Sequence, residues 1–184
     1  MNSVTQLLEA SAGGDRDAAM EILPLVYDEL RKLAASKLDH EKAGQTLQPT
    51  ALVHEAYIRL IGNSEGLAWN HRGHFFAAAA EAMRRILVEN ARRKKSLKRG
   101  GDRVRVQLEL AAEPNSEDDV LEIDEALMKL AAVDVQSVEL VKLRYFAGLT
   151  MPEVALAMNI SERTAARLWA YARAWLRREV EKIG

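Results

Sequence analysis

The amino-acid sequence predicts an all-α protein in which two small helical domains are joined by a flexible linker, with a helix-turn-helix in the second domain. Three observations favour this fold class. Apolar residues recur at helical spacing, β-branched clusters and prolines are scarce, and two helix starts lie close together near the C-terminus. The domains are placed at residues 1–98 and 120–184, with the linker at 99–119.

The N-terminal helices are placed by caps and apolar periodicity. A first helix ends at Gly13-Gly14, and a second extends to about Leu38, with Pro24 as a point where it kinks or breaks. A third follows the polar loop 39–49 and carries a buried stripe of Leu52, Val53, Ala56 and Leu60.

A long helix is predicted from about His74, after a loop over residues 62–73. Its apolar face consists of Phe75, Phe76, Ala79, Met83, Ile86 and Leu87, and basic residues lie on the other side. Helical spacing resumes at Val120, after the breaker Pro114-Asn115-Ser116. The segment Val104–Leu110 is compatible with a short strand, but an isolated strand has no partner in a helical chain.

The charge of the chain changes sign in blocks. The formal net charge is −1, yet residues 84–105 hold ten Lys or Arg against two acids, and residues 109–125 hold eight acids and no base. A basic run followed by an acidic one indicates a linker between parts that bind a polyanion. It also leads to the hypothesis that the acidic segment covers basic surface.

Two helix starts define the helix-turn-helix. Thr150 caps the first helix and Glu153 reaches back to it, as in a capping box, while Ser161 caps the second. Asn159 lies in the turn between them, where the chain needs a residue type that tolerates the left-handed conformation. The two helices are therefore predicted to form one rigid unit.

The second of these helices separates its residues by type. Ala165, Ala172 and Leu176 belong to an apolar stripe, and the opposite side carries alanines between arginines. A solvated arginine face is the more common explanation of such a stripe when it occurs alone, but the paired caps and the short turn favour a recognition helix. Its first residues would then meet base edges in the major groove: Glu162, Arg163, Thr164 and Arg167, with the cap Ser161.

Several classes of function are excluded or disfavoured. The chain has no cysteine, which excludes disulfides and thiolate metal sites, and no apolar run is long enough to span a membrane. His71 and His74 are not accompanied by further ligands, so no metal or other cofactor is expected. The histidines are scattered and there is no Gly-rich phosphate loop, so an enzyme is not expected either. We expect a cytoplasmic protein.

Two segments resemble the extracytoplasmic-function (ECF) sigma factors, small two-domain bacterial subunits that direct RNA polymerase to promoters. Residues 140–150 and the helix pair after them are similar to sigma region 4, which binds the minus-thirty-five element. Residues 72–87 are similar to the region 2 of a subgroup of these factors, which engages the minus-ten element. The resemblance implies that Arg144 belongs to the upstream DNA contact.

The resemblance also implies a minus-ten site with a stacking surface and a cationic rim, as an opened promoter requires. The candidates are Trp69, Asn70, His71, Arg72, His74, Arg84, Arg85, Arg92, Arg93 and Lys94. For Trp69 two interpretations stay open, since a tryptophan that anchors a loop or packs in the core is as common as one that stacks on bases.

The third helix is implied as the docking surface for polymerase. On the side away from its buried stripe, this helix carries His54, Glu55, Ile58 and Arg59. Glu55 and Arg59 are also spaced for an ordinary i,i+4 ion pair, which is an alternative explanation of these two residues. The implied partners are the core enzyme, through the clamp helices of its largest subunit and the flap of the other large subunit, together with promoter DNA. An anti-sigma factor is a further candidate. The alternative function is a helix-turn-helix regulator that binds a palindrome without polymerase.

Overall fold

The computed structural model describes residues 24–25, 27–34, 49–62, 72–97 and 117–183, and nearly all of them are helical. The all-α prediction is confirmed, and no strand occurs in these ranges. The helices are α1 (27–34), α2 (Pro49–Gly62), α3 (Arg72–Leu97), α4 (Glu117–Ala131), α5 (Val135–Val141), α6 (Met151–Ala157) and α7 (Glu162–Ile183), with a π-helical turn at Lys142–Phe146. The predicted first helix and the segment Val104–Leu110 lie outside the described residues.

Two helix starts differ from the predictions. Helix α3 begins at Arg72 rather than at His74, and α4 begins at Glu117, inside the predicted linker. The sequence favours this start, because residues 117–119 are three consecutive acids, and acids at a helix N-terminus favour the helix through its dipole. The breaker Pro114-Asn115-Ser116 immediately precedes them.

The first of two hydrophobic clusters joins α1, α2 and the N-terminal half of α3 to later elements of the chain. The predicted stripe of α2 is buried in it, as is the apolar face of α3 around Phe75 and Met83. The rings of Tyr27 and Tyr57 meet edge to face, with centroids 5.6 Å apart, and hold α1 against α2. The same cluster includes Leu143 of the π-helical turn and Ala165 of α7.

The second cluster is built on the C-terminal half of α3. Leu87, Val88 and Ala91 pack with the buried stripe of α4 and with α7, around the π-helical turn residues Tyr145 and Phe146. Helix α3 therefore contributes to both clusters. Each cluster contains residues from both of the predicted domains 1–98 and 120–184, whose boundaries stay a prediction.

Local signals account for the C-terminal elements. Asp134 caps α5 by accepting hydrogen bonds from the backbone N–H groups of Gln136 and Ser137. The hydrogen bond from the Ser137 hydroxyl, with these backbone bonds, lowers the pKa of the Asp134 carboxyl. Gly148 and Asn159 have positive φ, 73° and 54°, and reverse the chain before and after α6. Glu153 accepts from Thr150 N at 2.7 Å, as predicted.

Within the described ranges, no helix has both the length and the apolar character that crossing a membrane requires.

Candidate nucleic-acid interface

The start of α7 is held by its cap. The Ser161 hydroxyl accepts a hydrogen bond from the backbone N–H of Thr164 at 3.1 Å, as predicted, and its Oγ lies 2.9 Å from the Thr164 hydroxyl. Ala165 is fully buried directly behind this turn. The first turn of α7 is thus fixed against the core, and the side chains of Glu162 and Arg163 are exposed.

The outer face of α7 is cationic along its length. It carries exposed Arg163, Arg167, Arg177 and Arg178, and the exposed residues Ala166, Ala170 and Ala174 lie between them. Neither these arginines nor the half-buried Arg173 form an ion pair in the part of the chain that the structure describes. Small side chains let a backbone come close to a partner, so this face suits a polyanion that enters between the arginines.

Arg144 lies at the junction between the π-helical turn and α6. Its Nη1 donates to the carbonyl oxygen of Leu149 at 2.7 Å, and the side chain is half-buried. This bond holds the segment that leads into Thr150, the first cap of the helix pair. The described contact of Arg144 is therefore with the protein backbone next to the predicted interface.

The basic side of α3 is organised differently from that of α7. Arg84 donates to both carboxylate oxygens of Glu81, at 3.1 and 2.9 Å, and also to Asp124 of α4. Arg85 donates to Glu81 at 2.9 Å. Arg92 lies 3.7 Å from Asp124 Oδ2. These predicted minus-ten residues thus make ion pairs within the protein.

Other members of the predicted minus-ten set are exposed, partly buried or not described. Arg93 donates to the side-chain oxygen of Asn90 at 2.6 Å and is exposed. His74 is exposed near the start of α3, and Arg72 is the first residue of that helix. Lys94 is half-buried. The predictions for Trp69, Asn70 and His71 lie outside the described residues.

Glu81 is the centre of an ionic cluster. Besides the two arginines of its own helix, it accepts from Lys142 of the π-helical turn, whose Nζ lies 2.9 Å from Oε2. Burial raises the pKa of Glu81, but the hydrogen bonds from Arg84, Lys142 and Arg85 outweigh burial and lower the pKa to about 2. The carboxylate therefore stays charged at neutral pH.

Arg59 forms ion pairs on the predicted polymerase-docking face of α2. Its Nη2 donates to Glu55 at 2.8 Å and to Glu89 of α3 at 2.6 Å. The i,i+4 pair expected from the sequence is therefore present, extended by an acid from the neighbouring helix. His54 is exposed, and Ile58 is 57% exposed beside the pair. The face thus combines a fixed ion pair with open apolar surface.

Two residues of the ionic clusters, Asp124 and Lys142, were not singled out by the sequence reasoning. Asp124 did carry a signal, because it falls on the apolar stripe of α4 between Ile123 and Leu127 and is only 3% exposed. An acid on a buried stripe requires a cationic partner. Lys142 had no such signal, since an isolated lysine near a helix end is ordinary.

No cluster of three or more His, Cys, Asp or Glu side chains suited to a metal occurs among the residues that the structure describes.

Comparison with known proteins gives a family but no curated relative. No curated protein matches the chain. The family model described as ECF sigma factor matches residues 1–182, which is nearly the full length of 184 residues. This family consists of non-catalytic transcription initiation factors that act with RNA polymerase on promoter DNA. The chain therefore belongs to the ECF sigma factor family and is a sigma factor of RNA polymerase.

Proposed function

We propose that this chain directs core RNA polymerase to specific promoters in the cytoplasm through two separate DNA contacts, and that it assists promoter melting. The observation that carries the proposal is the outer face of α7, whose exposed arginines form no ion pair among the described residues. A partner that binds this face would supply negative charge to the arginines, and DNA does so at regular spacing.

The upstream contact is assigned to the first turns of α7. A helix of ordinary diameter fits the major groove, and a capped N-terminus presents its first exposed side chains to base edges. Arg163 and Arg167 are one turn apart on the exposed face, and Glu162 precedes them. Arginine reads guanine through two hydrogen bonds, and a carboxylate accepts from cytosine, so this turn suits a site that contains G·C pairs.

The minus-ten contact is assigned to α3 and to the segment before it. Arg92 and Arg93 are exposed on α3, and His74 is exposed near its start. Cations of this kind hold the phosphates of an unpaired strand, while the aromatic residue Trp69 would supply a stacking surface for its bases. Melting is favoured because the separated strand gains contacts that the duplex cannot make.

Docking to core polymerase is assigned to the exposed side of α2. Ile58 supplies apolar surface, and Arg59 is fixed by Glu55 and Glu89, so a partner meets a preorganised charge beside an apolar side chain. We assign this surface to the clamp helices of the largest subunit and residues 120–184 to the flap of the other large subunit. An anti-sigma factor is a further proposed partner.

Transcription in vitro with sigma-free core polymerase tests the proposal. The wild-type chain should confer initiation at defined start sites. Arg163→Ala should lose discrimination between promoters that differ in the upstream element, whereas Arg31→Ala, which removes an exposed arginine on α1, should retain it. No initiation, together with tight binding of the free chain to a palindrome, would instead establish a regulator that acts without polymerase.

A further inference from the structure

We propose that Tyr171 is a further DNA-contact residue of α7, and that its phenol hydroxyl donates a hydrogen bond to a phosphate at the rim of the major groove that Arg163 and Arg167 enter. This inference rests on the proposed function, because it adds a residue to the same upstream contact. The contact is an uncharged one, and it positions α7 in the groove without reading a base.

Tyr171 belongs to the same exposed row of α7 as two of its arginines. In a helix with about 3.6 residues per turn, residues four apart are displaced by only about 40° around the axis. Arg163, Arg167 and Tyr171 therefore follow one another along the outer face, and all three are exposed. The neighbours Ala170 and Ala174 are also exposed, and their small side chains leave room for a DNA backbone beside the phenol ring.

The hydroxyl of Tyr171 is available to a partner. Tyr171 is 44% exposed, and it makes no hydrogen bond and no aromatic pair within the ranges that the structure describes. The other tyrosines of the chain do form such pairs, since Tyr27 meets Tyr57 and Tyr145 meets Phe146 edge to face. Tyrosine hydroxyls are among the groups that donate to phosphate oxygens in protein–DNA complexes.

The spacing along α7 places Tyr171 at the level of the phosphates. At a rise of about 1.5 Å per residue, Tyr171 lies about 12 Å along the helix axis from Arg163. The major groove is about 8.5 Å deep and about 12 Å wide. When Arg163 is at the base edges, Tyr171 is therefore beyond the depth of the groove and beside the sugar-phosphate backbone that forms its rim. Arg178, about 22 Å along the axis, then lies outside the groove.

The rigidity of α7 makes a contact at Tyr171 effective at a distance. The helix is continuous over Glu162–Ile183, and Ala165 and Ala172 are both fully buried on its inner face. The row of Arg163, Arg167 and Tyr171 consequently moves as one body. A hydrogen bond from Tyr171 to the rim fixes how far the first turn enters the groove, which is how phosphate contacts set the register of a protein on DNA.

Binding of the holoenzyme to a promoter duplex that ends before the minus-ten element tests the contact. Tyr171→Phe removes only the hydroxyl and should weaken binding by about three- to tenfold for every upstream sequence. The slope of log K against log salt should stay unchanged, because a phenol neutralises no phosphate, whereas Tyr171→Arg should make it steeper by about 0.9. The control Tyr27→Phe removes a hydroxyl from α1 and should bind like the wild type.

Two results of this experiment would overturn the inference. The first is an unchanged affinity of Tyr171→Phe. The second is an unchanged affinity of Tyr171→Phe combined with lost discrimination of Tyr171→Ala at one T·A pair, which would assign the ring to a thymine methyl group instead.

Neutral methylphosphonate linkages, introduced one at a time along both strands of the same duplex, locate the phosphate. At one linkage, the wild type should lose several-fold more affinity than Tyr171→Phe, because the variant has no hydrogen bond to lose there. Equal losses for the two proteins at every linkage would overturn the role of Tyr171 alone. Failure of the wild type to initiate transcription with core polymerase would overturn the proposed function itself.

Discussion

The charge of Glu81 should stabilise the folded protein in a manner that depends on pH. Its pKa falls from the ordinary value of 4.5 to about 2, against the effect of burial, because Arg84, Lys142 and Arg85 bind the carboxylate. A difference of this size corresponds to a ceiling of about 3 kcal/mol. Since 27% of the side chain is exposed and water screens the pairs, we expect Glu81→Gln to cost about 1 to 2 kcal/mol at pH 7.

The sign of the pH dependence follows from the lowered pKa. The stabilisation is complete above the unfolded-state pKa of about 4.5 and is lost as the pH falls from there towards 2. The difference between the wild type and Glu81→Gln should therefore narrow by more than half between pH 7 and pH 3. Urea unfolding at several pH values measures this difference in the free energy of unfolding, with the midpoint and the dependence on urea concentration fitted separately.

A matched control for Glu81→Gln is Glu139→Gln. Glu139 is an exposed residue of α5 and makes no ion pair among the described residues. Its replacement should leave the free energy of unfolding within about 0.5 kcal/mol of the wild type at every pH. The ionic cluster does not stabilise the fold if Glu81→Gln and this control have the same free energy of unfolding. The same conclusion holds if the difference in free energy of unfolding between Glu81→Gln and the wild type stays constant with pH.

Three further perturbations test the interface and the turn. In the holoenzyme, Arg167→Ala should reduce discrimination at one upstream base pair by about 1 to 3 kcal/mol, as measured by competition between promoters. Equally weakened binding to all sequences would indicate that Arg167 contacts a phosphate instead. A triple alanine variant replaces Arg92, Arg93 and Lys94 of α3. It should weaken holoenzyme binding to all DNA sequences, and the slope of log K against log salt should become shallower by about 1 for each phosphate that the protein no longer neutralises. An unaltered slope would show that these residues do not contact phosphates. Asn159→Val should destabilise the chain by about 1 to 2 kcal/mol, because φ of residue 159 is 54° and a β-branched residue disfavours this conformation. Asn159→Gly should be tolerated. Equal unfolding midpoints for the two variants would refute a role for backbone strain.

The elements that the sequence predicted well depend on neighbouring residues only. The Ser161 cap, the contact of Glu153 with Thr150 and the positive φ of Asn159 each involve a few consecutive residues. The buried face of α3 was also predicted, because periodicity identifies which side of a helix is apolar regardless of what covers it.

The predictions that changed concern contacts between distant parts of the chain. Arg84 was placed on the polar side of α3, yet its side chain is only 19% exposed, because α4 packs over it and supplies Asp124. Periodicity alone cannot identify a partner 40 residues away. The minus-ten set as a whole stays a prediction, and the structure adds the two acids, Glu81 and Asp124, that pair with its arginines.

By itself, the sequence determined the all-α class, the helix faces, the two closely spaced caps and the residues through which the chain resembles the ECF sigma factors. These features follow from local backbone preferences and from side-chain spacing along one helix. Only the tertiary structure decided which cations are free and which are already paired. Arginines on α3 and α7 look alike in the sequence, but packing places Asp124 and Glu81 beside Arg84, Arg85 and Arg92 of α3. It leaves four arginines of α7 exposed: Arg163, Arg167, Arg177 and Arg178.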